Sequence, residues 1–293
     1  MIERLAYAKI NLFLDVEGIR DDGYHNILSV MQTVSWADKI TIQQCEEPGI
    51  RLFCTEKSIP TDNANTAYRA AELFLSYAEI PMGLQIHIEK HIPSSAGLAG
   101  GSSDAAAVLL GLNEMTGSPF SSEQLLELGA KIGADVPFCM VGGTQTTTGI
   151  GNVMEPFPSM PRCYLVCAKK GDGVSTPVAY RAIDEQNDFF RAPDVQYSKL
   201  NCLQNGFALG DLNCVKDGIF NIFEKTIEKT HPDVCLLKKA LLDSGAIAAM
   251  RSGSGPSVFG IFEDEKKADL ARDTLQNLGA TCAVCTPVAR FED

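Results

Sequence analysis

The sequence lacks the long apolar run that a membrane-spanning helix requires. No hydrophobic stretch in its 293 residues approaches the roughly 20 residues that cross a bilayer. The first residues carry charges at Glu3, Arg4 and Lys9 and do not show the basic-then-apolar order of a signal peptide. We therefore expect a cytoplasmic protein that does not bind membranes.

Basic residues are too few for a general nucleic-acid-binding protein. The 25 Lys and Arg residues are outnumbered by 37 Asp and Glu residues, which gives a net charge of −12. Contact with a nucleic-acid backbone requires a basic face, so we expect no nucleic-acid partner. Phosphate ligands are not excluded, because backbone N–H groups, a few lysines and Mg²⁺ can hold them.

The ten cysteines do not form a metal-binding pattern. Only Cys163/Cys167 and Cys282/Cys285 lie close together, and a CxxC pair without a second pair or a nearby His is a weak zinc signal. Residues three apart on a strand point to opposite faces, which suits neither a metal nor a disulfide. We expect reduced, mostly buried thiols.

Hydrophobic periodicity in the first half predicts a mixture of strands and helices. Residues 5–16 alternate between apolar and polar, which predicts a half-buried strand. A turn is expected at 21–23, where Asp-Asp-Gly occurs. The sequence further predicts strands at 27–34, 39–44 and 84–88, and helices that begin at a cap on Asn65, at about Asp104, and at Ser121 or Ser122 with an end at Gly133.

The second half has a different order of elements. Strands are expected at 163–168, 246–251, 257–262 and 282–289, and helices at 213–229, 233–243 and 265–277. This β-α-β-β-α-β order with an extra helix is the ferredoxin-like pattern. Glycines and prolines cluster between residues 149 and 161, so we expect an α+β protein with domains 1–155 and 156–293.

The most informative stretch is PSSAGLAGGSSDAAA at residues 93–107, between a predicted strand and a predicted helix. Small residues let the backbone bend sharply, successive N–H groups can converge on an anion, and the helix adds its positive dipole end. The hydroxyls of Ser102 and Ser103 can reach a phosphate or a Mg²⁺-bound oxygen. The stretch has neither the GK[ST] of a Walker A loop nor GxGxxG. The open alternative is a flexible loop with a serine-capped helix.

Several polar residues are candidates for chemistry. Asp135 lies in an otherwise apolar stretch, where a carboxylate needs a partner, although it could simply form a turn beside a helix end. Lys9 shares a strand face with Asn11, or is an exposed strand lysine. Tyr24 and His25 could stack on a flat base and bond its edge, or form a buried pair on a strand.

Five segments together resemble the GHMP kinase superfamily. PSSAGLAGGSSDAAA is similar to its phosphate loop, P-x-x-x-G-L-x-[GS]-S-[AS], and SGSGPS at 252–257 is similar to its third glycine-rich motif. AKINLFL, DGYH and GADVPF are similar to segments of its diphosphocytidyl-methylerythritol kinase branch. The resemblance spans residues 6 to 257. This sequence departs from the family at Ser94, Ser95 and Ala99, where glycines are frequent, and at Arg251, where a shorter residue is expected; these changes concern nucleotide affinity.

The resemblance implies an α+β fold of two domains, the first like domain 2 of ribosomal protein S5 and the second ferredoxin-like, with the active site in the cleft between them. It implies transfer of the γ-phosphoryl group of ATP to the 2-hydroxyl of 4-diphosphocytidyl-2-C-methyl-D-erythritol, which yields the 2-phosphate and ADP for isoprenoid synthesis. ATP and Mg²⁺ are the expected cofactors, small molecules the expected partners, and a monomer or homodimer the expected assembly.

The resemblance also assigns roles to residues. By that match Asp135 is the general base and Lys9 its electrostatic partner, while Asn11 orients the substrate. Cytosine is expected to stack on Tyr24, to be read by His25, and to meet a second ring at Tyr180. The expected ATP-binding residues are Asn65, Lys90, Pro93, Ser94, Ser95, Ala96, Gly97, Leu98, Ala99, Gly100, Gly101, Ser102 and Ser103. Lys90 could otherwise be a solvated lysine at a strand end.

Three other functions are compatible with parts of the sequence. Homoserine and mevalonate kinases share the phosphate loop but have no reason for DGYH after AKINLFL. A nucleotide-binding regulator without catalysis would be expected to lack Lys9 or Asp135, and both are present. A sheet-rich interaction module does not account for two separate glycine-rich turns.

Overall fold

The computed structural model describes residues 1–173, 176–186, 193–224 and 231–291. The chain forms two compact units. The first consists of Met1–Ala8, Trp36–Ser94 and Ala99–Val141, and the second of Lys9–Ser35, Ser95–Leu98 and Gly142–Asp293.

The strands are β1 Ile2–Ile19, β2 His25–Cys45, β3 Ile50–Cys54, β4 Gly83–Glu89, β5 Thr144–Thr148, β6 Val153–Pro156, β7 Tyr164–Lys169, β8 Phe220–Asn221, β9 Ala248–Arg251, β10 Val258–Phe262 and β11 Thr281–Cys285. The helices are α1 Thr66–Ala78, α2 Gly100–Met115, α3 Ser122–Ile132, α4 Val136–Val141, α5 Thr176–Gln186, α6 Pro193–Leu209, α7 Leu212–Gly218, α8 Pro232–Asp243 and α9 Glu265–Asn277. None of these helices is long and apolar enough to cross a membrane.

In the first unit, helices cover a sheet with the strand order β3-β4-β2-β1. β2 and β4 are antiparallel with Ile42 opposite Ile86, and β3 runs parallel to β4. The apolar side chains of these strands meet those of α1–α4 in one core that includes Ile40, Phe74, Leu84, Val108, Leu112 and Val136. The helix bounds confirm that Asn65 caps α1, that Ser121 caps α3 and that α3 ends at Gly133.

In the second unit, four antiparallel strands have the order β11-β7-β10-β9. α8 precedes β9, and α9 connects β10 to β11, so the predicted ferredoxin-like pattern is confirmed. Both helices pack their apolar faces on this sheet, with a core that includes Val166, Leu237, Leu241, Phe262, Ala271 and Leu275. β1 also pairs with β8, and β2 pairs with β5, in this unit.

β1 corrects the expectation of a half-buried strand. Every residue from 8 to 16 is buried, so both faces of this part of the strand are covered. The polar face is closed by specific partners, because Phe13 stacks near Phe220 and Asn11 bonds Ser29. Alternating polarity therefore marks a face with buried polar groups rather than a solvated one.

Other boundaries also differ from the sequence prediction. The strands expected at 27–34 and 39–44 are one continuous strand, β2. α2 begins at Gly100 rather than at about Asp104, because the backbone already turns into the helix after Ala99. The helix expected over 213–229 is wrong beyond Gly218, where β8 follows, and residues 225–230 lie outside the described residues. α4, α5, α6, β3, β5 and β6 were not predicted.

All ten cysteines are free thiols, as expected. Only Cys163, Cys167 and Cys285 are buried, however, so the expectation that most of them are buried is wrong. Burial raises the pKa of Cys163 to about 12, which keeps this thiol protonated. Cys235 is exposed on α8.

Candidate active site

The loop before α2 is built on an alternating backbone. Ser95, Gly97 and Ala99 have φ angles of 51°, 83° and 56°, which lie in the left-handed region. A residue with a side chain costs about 1 kcal/mol or more there, which explains why glycine suits positions 95 and 99 in related loops. The helix starts directly after Ala99, so the first N–H groups of α2, which have no acceptor within the helix, lie at the end of the loop.

Three consecutive carbonyl groups of the loop accept hydrogen bonds from other segments of the chain. Ser257 N donates to Ala96 O at 3.2 Å, Ser252 Oγ donates to Gly97 O at 3.2 Å, and Lys9 N donates to Leu98 O at 3.1 Å. The N–H and C=O of a trans peptide point in opposite directions. The N–H groups that follow these carbonyls therefore turn away from the supporting residues, as an anion-binding loop requires.

Two glycines permit this close support. A Cβ on Gly255 would lie 2.3 Å from Ala96 O, and a Cβ on Gly97 would lie 2.7 Å from Ser252 O. The two glycine-rich segments can therefore approach this closely only because each has a glycine at the contact. The third motif, which the sequence singled out by resemblance, lies against the backbone of the phosphate loop.

The first turn of α2 is anchored within the first unit. Ser103 is buried, and its Oγ donates to Tyr7 O at 2.7 Å. Thr66 Oγ1 donates to Gly101 O at 2.7 Å. These bonds position the start of α2. The Ser103 hydroxyl was expected to reach a phosphate or Mg²⁺-bound oxygen. It donates its hydrogen to a backbone carbonyl of the protein.

Lys90 lies in a buried cluster with two carboxylates. Its Nζ is 2.5 Å from Asp38 Oδ2 and 2.6 Å from Asp104 Oδ2, and its side chain is only 6% exposed. A Cβ on Gly100 would lie 3.1 Å from this nitrogen, so the ammonium sits directly under the start of α2. Lys90 is thus not a solvated strand-end lysine. Its contact with ATP stays a prediction.

The cluster has more carboxylates than cations. Burial raises the pKa of Asp104 to about 7, with Lys90 opposing the shift and Asp38 adding to it. Burial also opposes the charged form of Lys90, but the two carboxylates outweigh it and raise the Lys90 pKa. Asp38 additionally accepts hydrogen bonds from the N–H groups of His91 and Ile92 at 2.5 and 2.8 Å. The cluster therefore fixes the end of the strand that enters the loop.

Asn65, the other predicted adenine-side residue, serves as a helix cap. Its Oδ1 accepts from Ala67 N at 2.8 Å, and its Nδ2 donates to Pro60 O at 2.8 Å. Both polar atoms of the side chain thus have backbone partners, and a contact with ATP stays a prediction.

Lys9 and Asn11 form a buried polar chain on β1. Lys9 Nζ donates to Asn11 Oδ1 at 2.7 Å, and Asn11 Nδ2 donates to Ser29 Oγ at 2.8 Å. Ser29 Oγ donates onward to Phe13 O at 2.6 Å. Lys9 and Asn11 are only 5% and 1% exposed, so the reading of Lys9 as an exposed strand lysine is wrong. The predicted sharing of one strand face is confirmed.

Asp135 is the residue that precedes α4. Its carbonyl accepts from Cys139 N at 3.1 Å, which starts the helix, and its side chain is half-buried. Val136, Pro137 and Phe138 are all buried in α4, and proline is tolerated in a first helical turn. The apolar residues of GADVPF therefore anchor this helix and fix the place of the carboxylate.

The structure brings His25 and Tyr180 together. Their ring centroids are 4.7 Å apart with an interplanar angle of 38°. His25 Nε2 is 2.8 Å from Asp184 Oδ1, which fixes the imidazole, and Tyr180 packs on the edge of Phe223 at 4.9 Å. Tyr24 lies at the end of the turn and is 62% exposed, which leaves its ring face open to a flat ligand.

Sequence reasoning missed the acidic partners of these residues. Asp184 lies 159 residues from His25, and no local pattern links them. Asp104 was read only as the start of a helix. Asp38 had a usable signal, because it shares a strand face with Trp36 and Ile40, and a carboxylate on an apolar face requires a cation.

The loop that leads into α2 and the ferredoxin-like second unit define an α+β protein with a loop suited to bind an anion. The sequence profile of the GHMP kinases N terminal domain matches residues 65–143, and that of the GHMP kinases C terminal domain matches residues 203–281. These matches fall within the predicted domains 1–155 and 156–293.

Individual proteins agree with the profiles. A 4-diphosphocytidyl-2-C-methyl-D-erythritol kinase of Lachnoclostridium phytofermentans is 40% identical over 92% of this chain and 91% of its own length. A crystal structure of 4-(cytidine 5'-diphospho)-2C-methyl-D-erythritol kinase has a TM-score of 0.82 and 31% identity, covering 98% of this chain and 99% of that chain. A homoserine kinase of Cytophaga hutchinsonii has a TM-score of 0.74 but 18% identity, with 96% and 95% covered. The chain belongs to the GHMP kinase family.

Proposed function

We propose that this protein phosphorylates the 2-hydroxyl of 4-diphosphocytidyl-2-C-methyl-D-erythritol with ATP, releasing the 2-phosphate and ADP for isoprenoid synthesis. The relative with this activity in its name is 40% identical over most of the chain. The observation that carries the proposal is the pair formed by His25 and Tyr180 and fixed by Asp184, since the phosphate loop alone fits any kinase of the family.

The loop residues would bind the phosphates of ATP. The carbonyls of Ala96, Gly97 and Leu98 accept hydrogen bonds from other segments, and the N–H groups that follow them would bind phosphate oxygens. Phosphoryl transfer depends mainly on such positioning and on charge stabilisation. We therefore propose that residues 93–103 contact ATP, as the resemblance implies.

Asp135 and Lys9 would act on the acceptor hydroxyl. Asp135 would accept the proton as the hydroxyl attacks the γ-phosphoryl group, and Lys9 would supply positive charge. Asn11, which accepts a hydrogen bond from Lys9, orients this ammonium and the substrate. The same charge offsets the negative charge of the transition state.

The cytidyl group would lie against the aromatic residues. Tyr24 presents an exposed ring for stacking, and Tyr180 supplies a second ring beside the imidazole that would read the base edge. The bond from Asp184 fixes that imidazole in one orientation. This set of residues would distinguish a pyrimidine nucleotide from a small acceptor such as homoserine or mevalonate.

Mg²⁺ would be introduced by the nucleotide. Among the described residues no group of three or more His, Cys, Asp or Glu side chains could hold a metal ion. Asp104 is bound to Lys90, whereas the Ser103 oxygen, which donates its hydrogen to Tyr7 O, would still offer lone pairs to a nucleotide-bound Mg²⁺. ATP phosphates require a cation to neutralise them.

ADP release with a panel of acceptors tests the proposal. The protein is incubated with Mg·ATP and diphosphocytidyl-methylerythritol, homoserine or mevalonate, alongside Asp135→Asn and the exposed control Asp217→Asn. We expect turnover with the cytidyl acceptor alone, and a loss of about 100-fold or more in kcat for Asp135→Asn, since proton transfer contributes about 10²–10⁴-fold. The control should keep the wild-type rate.

Two outcomes would contradict the proposal. Turnover with homoserine or mevalonate would keep the kinase family and remove the role of His25 and Tyr180. ATP binding without turnover on any acceptor would favour a nucleotide-binding regulator.

A further inference from the structure

Arg251, at the end of β9, is a buried cation. Its side chain is 0% exposed. Nε donates to Gly255 O, Nη2 to Ser254 O, and Nη1 to Phe223 O at 3.0 Å. Across residues 1–173, 176–186, 193–224 and 231–291, no carboxylate pairs with this guanidinium. Burial lowers its pKa to about 9, so it stays charged at neutral pH.

On one side the guanidinium holds the third glycine-rich turn. Ser254 O and Gly255 O are bound by Arg251, and Asn221 Nδ2 donates to Arg251 O and Gly253 O at 3.0 and 2.9 Å. This places Gly255 against the phosphate loop, where an added Cβ would lie 2.5 Å from Gly97 N. A shift of the turn by a few tenths of an ångström would therefore displace the loop.

On the other side the guanidinium contacts an aromatic series. It lies over the ring of Phe223, with 5.7 Å between the guanidinium carbon and the ring centroid. Phe223 packs on the edge of Tyr180 at 4.9 Å, and Tyr180 lies 4.7 Å from His25. The Phe223 carbonyl is also bound by Arg251, which fixes both the backbone and the ring of this residue.

We propose that Arg251 is a positioning residue for both ligands: it sets the turn that supports the phosphate loop and the ring that supports the pyrimidine-side pair. The half that concerns the pyrimidine rests on the proposed function. A planar guanidinium with donors in three directions suits carbonyls that lie apart. A single ammonium cannot reach all of them, and an apolar side chain leaves them buried without donors.

Separate binding measurements of ADP and CDP test this role. Affinities are measured calorimetrically at low temperature on variants whose folding is first verified by circular dichroism, so that the dissociation constants report native geometry rather than stability. Arg251→Met should weaken ADP and CDP by about threefold to thirtyfold each, the range expected when a supporting contact is lost. Arg251→Lys should recover part of both losses. Arg272→Met, at a half-buried arginine on α9, is the matched control.

Two further variants separate the branches. Gly255→Ala should weaken ADP and leave CDP unchanged, because Gly255 contacts Ala96 and Gly97. Phe223→Leu should weaken CDP and leave ADP unchanged, because Phe223 contacts Tyr180. In the double variant Arg251→Met/Gly255→Ala, the two ADP losses should be less than additive, since both act on the same turn.

The results assign failure to one proposal or the other. If folded Arg251→Met binds both ADP and CDP within twofold of the wild-type affinities, the positioning role is wrong. If that variant does not fold, Arg251→Lys and Phe223→Leu decide by the same criterion. Wild-type protein that binds ADP but not CDP would refute the proposed substrate, while the effect on ADP would still test the phosphate-loop branch.

Discussion

Two buried cations lie beside glycine-rich backbone, one in each unit, and they are stabilised in different ways. Lys90 in the first unit sits under Gly100 between the carboxylates of Asp38 and Asp104. Arg251 in the second unit is surrounded by the carbonyl oxygens of Phe223, Ser254 and Gly255. The first cluster carries excess negative charge, and the second keeps its positive charge.

The difference follows from the chemistry of the two groups. An ammonium is a compact charge that two carboxylates can share, whereas a guanidinium spreads five donors over a plane. The Lys90 cluster fixes position by charge, and Asp104 responds with a raised pKa. In the Arg251 cluster each carbonyl group accepts from a separate N–H donor, so the directions of the donors fix the positions of the carbonyls.

Removal of Lys90 should give the largest effect on stability. Lys90→Met leaves two carboxylates buried without their cation, which typically costs about 3–5 kcal/mol. Urea unfolding at neutral pH measures the loss. Lys39→Met, at a half-exposed lysine paired with Glu3, is the matched control and should change the free energy of unfolding by less than about 1 kcal/mol. Equal losses in the two variants would show that the buried charges do not matter.

The pH dependence of the Lys90 cluster should be the next largest effect. The pKa of Asp104 rises from 3.8 in the unfolded chain to about 7 in the fold, so the folded state binds more protons between these values. Its contribution to stability is therefore fully present below pH 3.8 and is lost as the pH rises through about 7.

Unfolding of Asp104→Asn beside wild type measures this contribution, because asparagine does not titrate. From about pH 4 to pH 7 the wild type should lose about 2–4 kcal/mol relative to the variant, at about 1.4 kcal/mol per pKa unit. Lys90 stays charged in this range, and Asp38 is present in both proteins. A constant difference across the range would contradict the raised pKa.

Exchange of the guanidinium should give the smallest effect. Arg251→Lys keeps the charge but places all donors on one atom, so at least one carbonyl loses its partner at about 1–3 kcal/mol, partly offset by the remaining bonds. Thermal and urea unfolding should show that the free energy of unfolding falls by about 1 kcal/mol, the lower limit of that range. Arg272→Lys, at a half-buried arginine on α9 paired with Asp269 and Asp273, should change the free energy of unfolding by less than about 1 kcal/mol. If Arg251→Lys leaves the free energy of unfolding unchanged, then the positive charge and not the direction of the donors stabilises the second cluster.

The sequence predicted local features better than long-range ones. The Asn65 cap, the end of α3 at Gly133 and the ferredoxin-like order were confirmed, since each depends on neighbouring residues or on the order of elements. The partners of Lys90 and His25 were not predicted, because Asp38 and Asp184 lie 52 and 159 residues away along the chain. The face of Lys9 on β1 was misread because partners from distant segments bury it.

The start of α2 shows a different limit. Glycines at 100 and 101 predict a loop, yet helix α2 begins there because Thr66 binds the Gly101 carbonyl and Ser103 binds Tyr7. Tertiary bonds outweighed local propensity. The roles of Lys9, Asp135, Tyr24 and the loop residues remain predictions until ligand binding and turnover are measured.

The ten thiols differ in burial, so their rates of chemical labelling can report on the opening of the structure. Cys235 is the exposed thiol, so a maleimide dye should attach there first without any cysteine being removed. Burial raises the pKa of Cys163, and a hydrogen bond with Cys285 together with burial raises that of Cys167, so both thiols should react only when β7 is opened to solvent. One labelling time course would thus record surface chemistry early and the opening of the second unit late.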